Sequence, residues 1–272
     1  MPLIASNPYI DRVVTHFEEV RGESFDIVYS LDDEEEIIAG VNQLRTDRIV
    51  GAYQKDGRIQ YSEDSAAWFD MGLRSCFGKE RADELKRLNT RGSEIFGVGA
   101  AVPCFYGNAA LESSYREWVS DRHPAIGISP FAGDRWPSKE LPAPELTALI
   151  GALLGPSGPL STPGSIVLIG AGPDRAKNQA LAQASADPRV RVADTEASPL
   201  HLAALIRQLD FVISSDSLAM HLAIAQGVPT VAFFAPTSAV EIDDFGRLSK
   251  VASTASDYCS YKKHADTTTI TH

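Results

Sequence analysis

Between Ala125 and Ala235 the chain alternates short, almost unbroken apolar runs with helical stretches, and this pattern limits its fold more than any other feature. The runs are AIGIS, SIVLIG, RVRVAD, FVIS and PTVAFFA; the segments between them include LTALIGALLG, the stretch from Asp174 to Ala184, HLAALIRQL and SLAMHLAIAQG. Strands apolar at every position are buried on both faces, and strands that alternate with helices form a parallel sheet with helices packed on each side. The expected fold class is α/β, with a Rossmann-like, doubly wound domain in the C-terminal half.

The first part reads as mixed α/β. Ile10 to Val14 and Phe25 to Leu31 are short β-rich runs, and the second leads through the acidic stretch Asp32 to Glu36 into the helix IIAGVNQL. Consecutive carboxylates on a helix point in different directions, so the acidic run reads as a solvated helix start favoured by the helix dipole and not as a metal site. GAYQKDGRIQY predicts a hairpin turning at Asp56-Gly57, and helical spacing from Ser65 to Asn89 places Trp68, Leu73 and Phe77 on one face.

Composition excludes several classes. With 44% hydrophobic and 22% charged residues, and 20 Gly and 16 Pro spread along 272 positions, the chain is globular in type. No run approaches the roughly 20 apolar residues of a membrane helix, and the start lacks a signal-peptide pattern, so a cytoplasmic protein is expected. A net charge of −11 argues against sequence-independent nucleic-acid binding, so an anion has to be held locally. Three cysteines, Cys76, Cys104 and Cys259, are too few for a disulfide framework or a four-ligand metal site.

In a doubly wound sheet, ligands sit at the carboxyl ends of the strands. After AIGIS, a small-residue loop from Ser129 through Gly133 lets the backbone approach a ligand; Arg135 or Lys139 can meet a phosphate, or both are solvated surface cations. After SIVLIG, Ala171-Gly172-Pro173-Asp174 lacks the third glycine of a dinucleotide fingerprint, so NAD binding is not supported; Asp174 is placed to cap the next helix or to accept from a ribose hydroxyl. After FVIS, Ser215 or Asp216 caps a helix whose free N–H groups form an anion site, with His221 one turn on, on the side of Ser217. A Gly227 helix stop, a buried strand and a Pro236-Thr237 turn follow at the same rim.

The segment from Asp216 to Thr237, DSLAMHLAIAQGVPTVAFFAPT, resembles the signature of the heptosyltransferase family, glycosyltransferase family 9, which is close to D-S-G-x-x-H-L-A-A-A-x-G-V-P-T-V-A-L-F-G-P-T. WPSKELP and NPYIDRVV are similar to two further family segments. The resemblance implies a GT-B-like architecture of two Rossmann-like domains with parallel sheets: an incomplete acceptor-side domain over 1–122, a nucleotide-sugar-binding domain over 123–250 and a tail over 251–272. It implies an inverting, metal-independent glycosyltransferase without cofactors. A heptose or related sugar passes from a nucleotide-diphosphate donor, ADP-linked, to a cell-surface glycan or lipopolysaccharide core acceptor, with a peripheral membrane encounter for a lipid-linked acceptor.

Carried over residue by residue, Lys139 is the diphosphate ligand and Asp216 binds sugar hydroxyls. Ser217 and His221 line the phosphate or sugar region, Asp174 the ribose, and Ser129 and Gly133 complete the donor-binding set. The sequence departs from the family at Leu218, where the signature has glycine. Set against the family, the opening βα unit, whose Gly-Asp loop carries the family's general base, is expected to be missing from the N-terminal domain. Asp32, at the rim of the FDIVYSL strand, is the catalytic candidate in its place. The alternative expectation is a nucleotide-sugar-binding protein without turnover.

Overall fold

A computed structural model describes residues 2–72, 80–82, 84–85, 102–133, 136–161, 163–170, 172–195, 198–255 and 258–261. Leu73, Cys76, Phe77 and Arg135 lie outside the described residues. The chain divides into two compact units, one built mainly from Ile10–Ala101 and the other from Pro2–Tyr9, Val102–Ala239 and Asp244–His272.

In the first unit, β1 (Ser24–Ser30) runs parallel to β2 (Arg45–Lys55), and the helix α1 (Glu35–Val41) connects them. β2 turns at Asp56-Gly57, both with positive φ, into antiparallel β3 (Arg58–Tyr61), as the Asp-Gly signal predicts. The acidic run serves helix initiation: Asp32 Oδ1 accepts from the Glu34 amide at 2.9 Å, and Glu35 and Glu36 occupy the first turn of α1. A small core of Ile38, Ala52 and Phe69 is closed by Tyr61, whose ring stacks on Phe69 at 4.4 Å.

Two expectations for this unit are corrected. Ile10 to Val14 forms no strand; Asp11, Arg12 and Val14 line an 810 Å³ cavity with Phe25 and Val28, and Arg12 pairs with Glu23 at 2.5 Å. Ladder hydrogen bonds, not apolar content, make a strand, and these residues have no strand partner. The helix expected from Ser65 to Asn89 is interrupted: α2 (Ala66–Phe69) ends in a turn at residues 70–72, and the described residues 80–82 and 84–85 are helical again.

The second unit begins with α3 (Ala109–Val119), capped by Asn108 Oδ1, which accepts from the amides of Ala110 and Leu111. Its six strands are β4 (Ala125–Ser129), β5 (Ser165–Leu168), β6 (Val190–Val192), β7 (Phe211–Ser215), β8 (Thr230–Phe234) and β9 (Leu248–Ala252). They lie in the order β6-β5-β4-β7-β8-β9, and every pair is parallel. Helices α4 (Ala143–Leu154), α5 (Arg175–Ser185), α6 (Pro199–Ile206) and α7 (Leu218–Gln226) connect them.

Side chains along each strand alternate between two cores, as the period of two requires. Val167 and Ile169 join Leu202, Leu205 and Leu222 on one face, whereas Ile166 and Leu168 join Leu146, Ile150 and Leu154 on the other. The three α4 residues, spaced by four, form a single apolar stripe. The fold class is therefore the expected α/β, GT-B-like one, with a doubly wound parallel sheet in the second unit. β9 was not expected from the sequence, because LSKVA at a sheet edge is neither apolar throughout nor regularly alternating.

Candidate functional site

The strand order reverses between β4 and β7, the two central strands, whose ends are in register at Ser129 and Ser214. In open α/β sheets a ligand crevice forms outside such a reversal. Ser129 is buried at the end of β4. The loop beyond it passes through Gly133, at φ +68° with open space where a side chain would stand, and a 3-10 turn over Pro137–Lys139 then sets Lys139.

Lys139 Nζ lies 2.7 Å from Asp216 Oδ2 and donates also to the Asp216 carbonyl at 3.2 Å. The side chains are only 16% and 11% exposed, so the pair is largely shielded from solvent. An ammonium has three donors, and these two bonds leave one for a ligand. Thr237, on the turn after β8, donates its hydroxyl to the same Asp216 Oδ2 at 2.8 Å, leaving Oδ1 without a partner among the described residues. Three strand-end loops, after β4, β7 and β8, thus converge on one carboxylate.

The cap of α7 differs from the expectation. Ser217, with extended backbone, is the N-cap, and neither Ser215 nor Asp216 caps the helix. The Asp216 carboxylate is drawn to Lys139 and Thr237, and the Ser215 hydroxyl reaches the Phe131 carbonyl at 3.5 Å. Ser217 Oγ makes no cap bond either; it lies 3.1 Å from Ser214 Oγ. The first amides of α7 are therefore free of side-chain capping, which leaves the positive end of the helix open beside an ammonium, an arrangement whose electrostatics favour an anion. Leu218, the first residue of α7, is 44% exposed.

His221 sits one turn into α7, its amide directed at the Ser217 carbonyl at 3.4 Å. Its side chain keeps an exposed face. Desolvation of the imidazole lowers its pKa below the ordinary value; the Asp216 carboxylate acts to raise it and the Lys139 ammonium to lower it.

Asp174 ends a 3-10 turn over Gly172–Asp174 and precedes α5, but its side chain makes no cap bond and is only 3% exposed. It packs over Gly170 instead. Asp32 belongs to the first unit, where its Oδ1 is engaged by the Glu34 amide. Thr237 and Trp136, whose ring centroid is 5.7 Å from Lys139 Nζ, were not singled out as site residues. The signal for Thr237 was the Pro-Thr turn at the strand rim; for Trp136 it was adjacency to the lysine turn. Among the described residues no helix is long and apolar enough to cross a membrane.

A six-stranded parallel sheet whose strand order reverses at its centre, with a lysine after the first strand and an uncapped helix start after the fourth, defines an α/β protein of the GT-B-like class. Residues 108–270, more than half of the chain, match glycosyltransferase family 9 (heptosyltransferase), and the chain belongs to this family. Solved structures share the fold. The glycosyl transferase family 9 protein from Veillonella parvula DSM 2008 is 18% identical, with a TM-score of 0.61 over 87% of this chain and 65% of that one. E. coli heptosyltransferase WaaC with ADP-2-deoxy-2-fluoro heptose is 18% identical, with a TM-score of 0.53 over 90% and 71%. E. coli ADP-heptose LPS heptosyltransferase II is matched at 21% identity and a TM-score of 0.44, over 55% of this chain and 45% of that one. The chain thus spans less than two thirds of the length of the Veillonella protein and of heptosyltransferase II. No curated protein matches.

Proposed function

We propose that the chain binds a nucleotide-diphosphate sugar at the reversal between β4 and β7 and transfers the sugar, with inversion, to a cell-surface glycan or lipopolysaccharide core acceptor. The observation that carries this is the uncommitted third donor of Lys139 beside the uncapped start of α7. Two positive elements at one crevice suit a diphosphate, and WaaC, a structural relative, is seen with ADP. An ADP-linked heptose is the donor this supports.

Each residue then has a chemical task. The acceptor hydroxyl oxygen bonds to the anomeric carbon while the bond from that carbon to the β-phosphate oxygen breaks, and the leaving diphosphate takes the electron pair. Lys139 and the α7 amides stabilise that growing charge, and the site needs no metal or cofactor for it. Asp216 Oδ1 accepts from a sugar hydroxyl, Ser217 and His221 flank the phosphate and sugar, and Asp174 faces the ribose after a side-chain rearrangement. Ser129 and Gly133 form the backbone floor. Asp32 takes the acceptor proton through its free oxygen.

The alternative, donor binding without turnover, is favoured by one observation: Asp32 Oδ1 is already used to start α1. Calorimetry with ADP and ADP-heptose, followed by ADP release with acceptor present, tests both. Binding with acceptor-dependent release is expected. Binding without release across acceptors selects the alternative, and no binding at millimolar donor removes the donor assignment. Lys139→Ala weakens ADP binding at least tenfold, by about 1.4 kcal/mol or more; unchanged affinity rules out its phosphate role. Localisation in the cytoplasm and a peripheral encounter with a lipid-linked acceptor belong to the same proposal.

A further inference from the structure

Thr237 does not reach toward a ligand through its hydroxyl, which is spent on Asp216 Oδ2 at 2.8 Å, and the residue is 7% exposed. Its value lies in what that bond does to Lys139. Asp216 binds the ammonium through the same Oδ2, so the rotamer of one carboxylate sets where the ammonium stands. A carboxylate held by Lys139 alone can follow that flexible side chain; held from the opposite loop as well, it is fixed.

The turn carrying Thr237 is itself tied down by the segment after β9. The Ser238 amide donates to the Tyr261 hydroxyl at 3.2 Å, and the Ala239 amide donates to the Tyr258 hydroxyl at 3.0 Å. In return, the Tyr261 amide donates to the Pro236 carbonyl at 2.7 Å and the Cys259 amide to the Ala235 carbonyl at 3.2 Å. Four hydrogen bonds therefore brace residues 235–239 on both sides of Thr237. Loops are ordinarily more mobile than the strands they follow, and these bonds hold this one in a fixed place.

We infer that Thr237 is a positioning residue of the donor site, held in place by the Tyr258–Tyr261 segment, and that it acts through Asp216 to keep the Lys139 ammonium aimed for a diphosphate. This rests on the donor reading above. The test compares Thr237→Val, which keeps the shape and removes the donor, with Thr237→Ser, which keeps the donor, in the full chain. ADP affinity is measured by calorimetry, and the His221 titration is followed by proton NMR in nucleotide-free protein.

Thr237→Val is expected to weaken ADP binding about tenfold, the loss expected for one hydrogen bond to a charged group, and to shift the His221 titration, because Asp216 and Lys139 both act on that imidazole. Thr237→Ser restores both, and Tyr261→Phe gives a smaller loss in the same direction. Wild-type affinity in Thr237→Val, or equal loss in the Ser and Val variants, overturns the inference. If the wild-type chain binds no ADP, the donor assignment fails, and an unmoved His221 titration in Thr237→Val separately overturns the positioning role.

Discussion

A Cβ added to Gly170 would stand 2.9 Å from the Cβ of Asp174 and 3.1 Å from Asn178 Nδ2. The strand end after β5 is therefore packed directly against the aspartate that precedes α5, with no room for a side chain between them. Gly170→Ala has to push Asp174 or Asn178 aside, and both are almost fully buried. A loss of about 1–3 kcal/mol in urea unfolding is expected, the usual cost of overpacking. If Asp174 faces the ribose, ADP affinity falls as well; unchanged affinity with lowered stability would confine Asp174 to a packing role.

His221 gives a pH signature. Its folded-state pKa lies below the ordinary 6.5, chiefly through desolvation. The unfolded chain therefore binds the proton more readily than the folded one. The stabilising contribution is fully present above the unfolded pKa and is lost as the pH falls through the folded one. Between about pH 7.5 and about pH 5, the wild-type protein should lose more stability than His221→Gln, measured by denaturant unfolding at each pH. Equal losses would show that the imidazole is not desolvated in solution.

Leu218 opens α7 with an exposed, branched side chain at the proposed approach of the diphosphate. Leu218→Gly should cost no more than about 1 kcal/mol of stability, the helix-propensity difference, and should bind ADP as tightly as wild type or more so. A tenfold weaker affinity by calorimetry would instead make Leu218 a donor contact.

In the first unit, Gly51 has φ +125° and an added Cβ would lie 1.9 Å from the Ser30 carbonyl oxygen, its register partner on β1. Backbone cannot give way as a side-chain tip can. Gly51→Ala should destabilise the β1–β2 pair by more than about 3 kcal/mol, seen as lost hydrogen-exchange protection across Phe25 to Ser30. Retained protection would mean that the strand pair tolerates a register shift there.

The second unit was legible because burial on both faces leaves a plain trace in sequence: AIGIS, SIVLIG, FVIS and PTVAFFA each became a strand of the central sheet. Gly227 stops α7 at φ +76°, as a left-handed cap residue should. What stayed hidden was decided by tertiary partners. Asp216 looked like a helix cap, since Asp is a good one, but a lysine 77 residues away in sequence competes for it and wins. By the same logic Asp174 reads as a cap or a ribose acceptor; it makes no cap bond and packs against Gly170. Ile10 to Val14 has strand-forming residues and no ladder to join. The β9 edge has a partner but no pattern, because an edge strand carries polar residues without cost.

The alternation of Val167 and Ile169 against Ile166 and Leu168 leaves β5 no freedom of register, since a one-residue slip would exchange the contents of two filled cores. Insertions and deletions are therefore resisted within the strand and tolerated in the connecting segments, those beyond the carboxyl ends among them. Those are the segments that hold Lys139, Asp216 and Thr237. The rim that carries these three side chains can therefore be rewritten in length and sequence while the sheet beneath it stays the same.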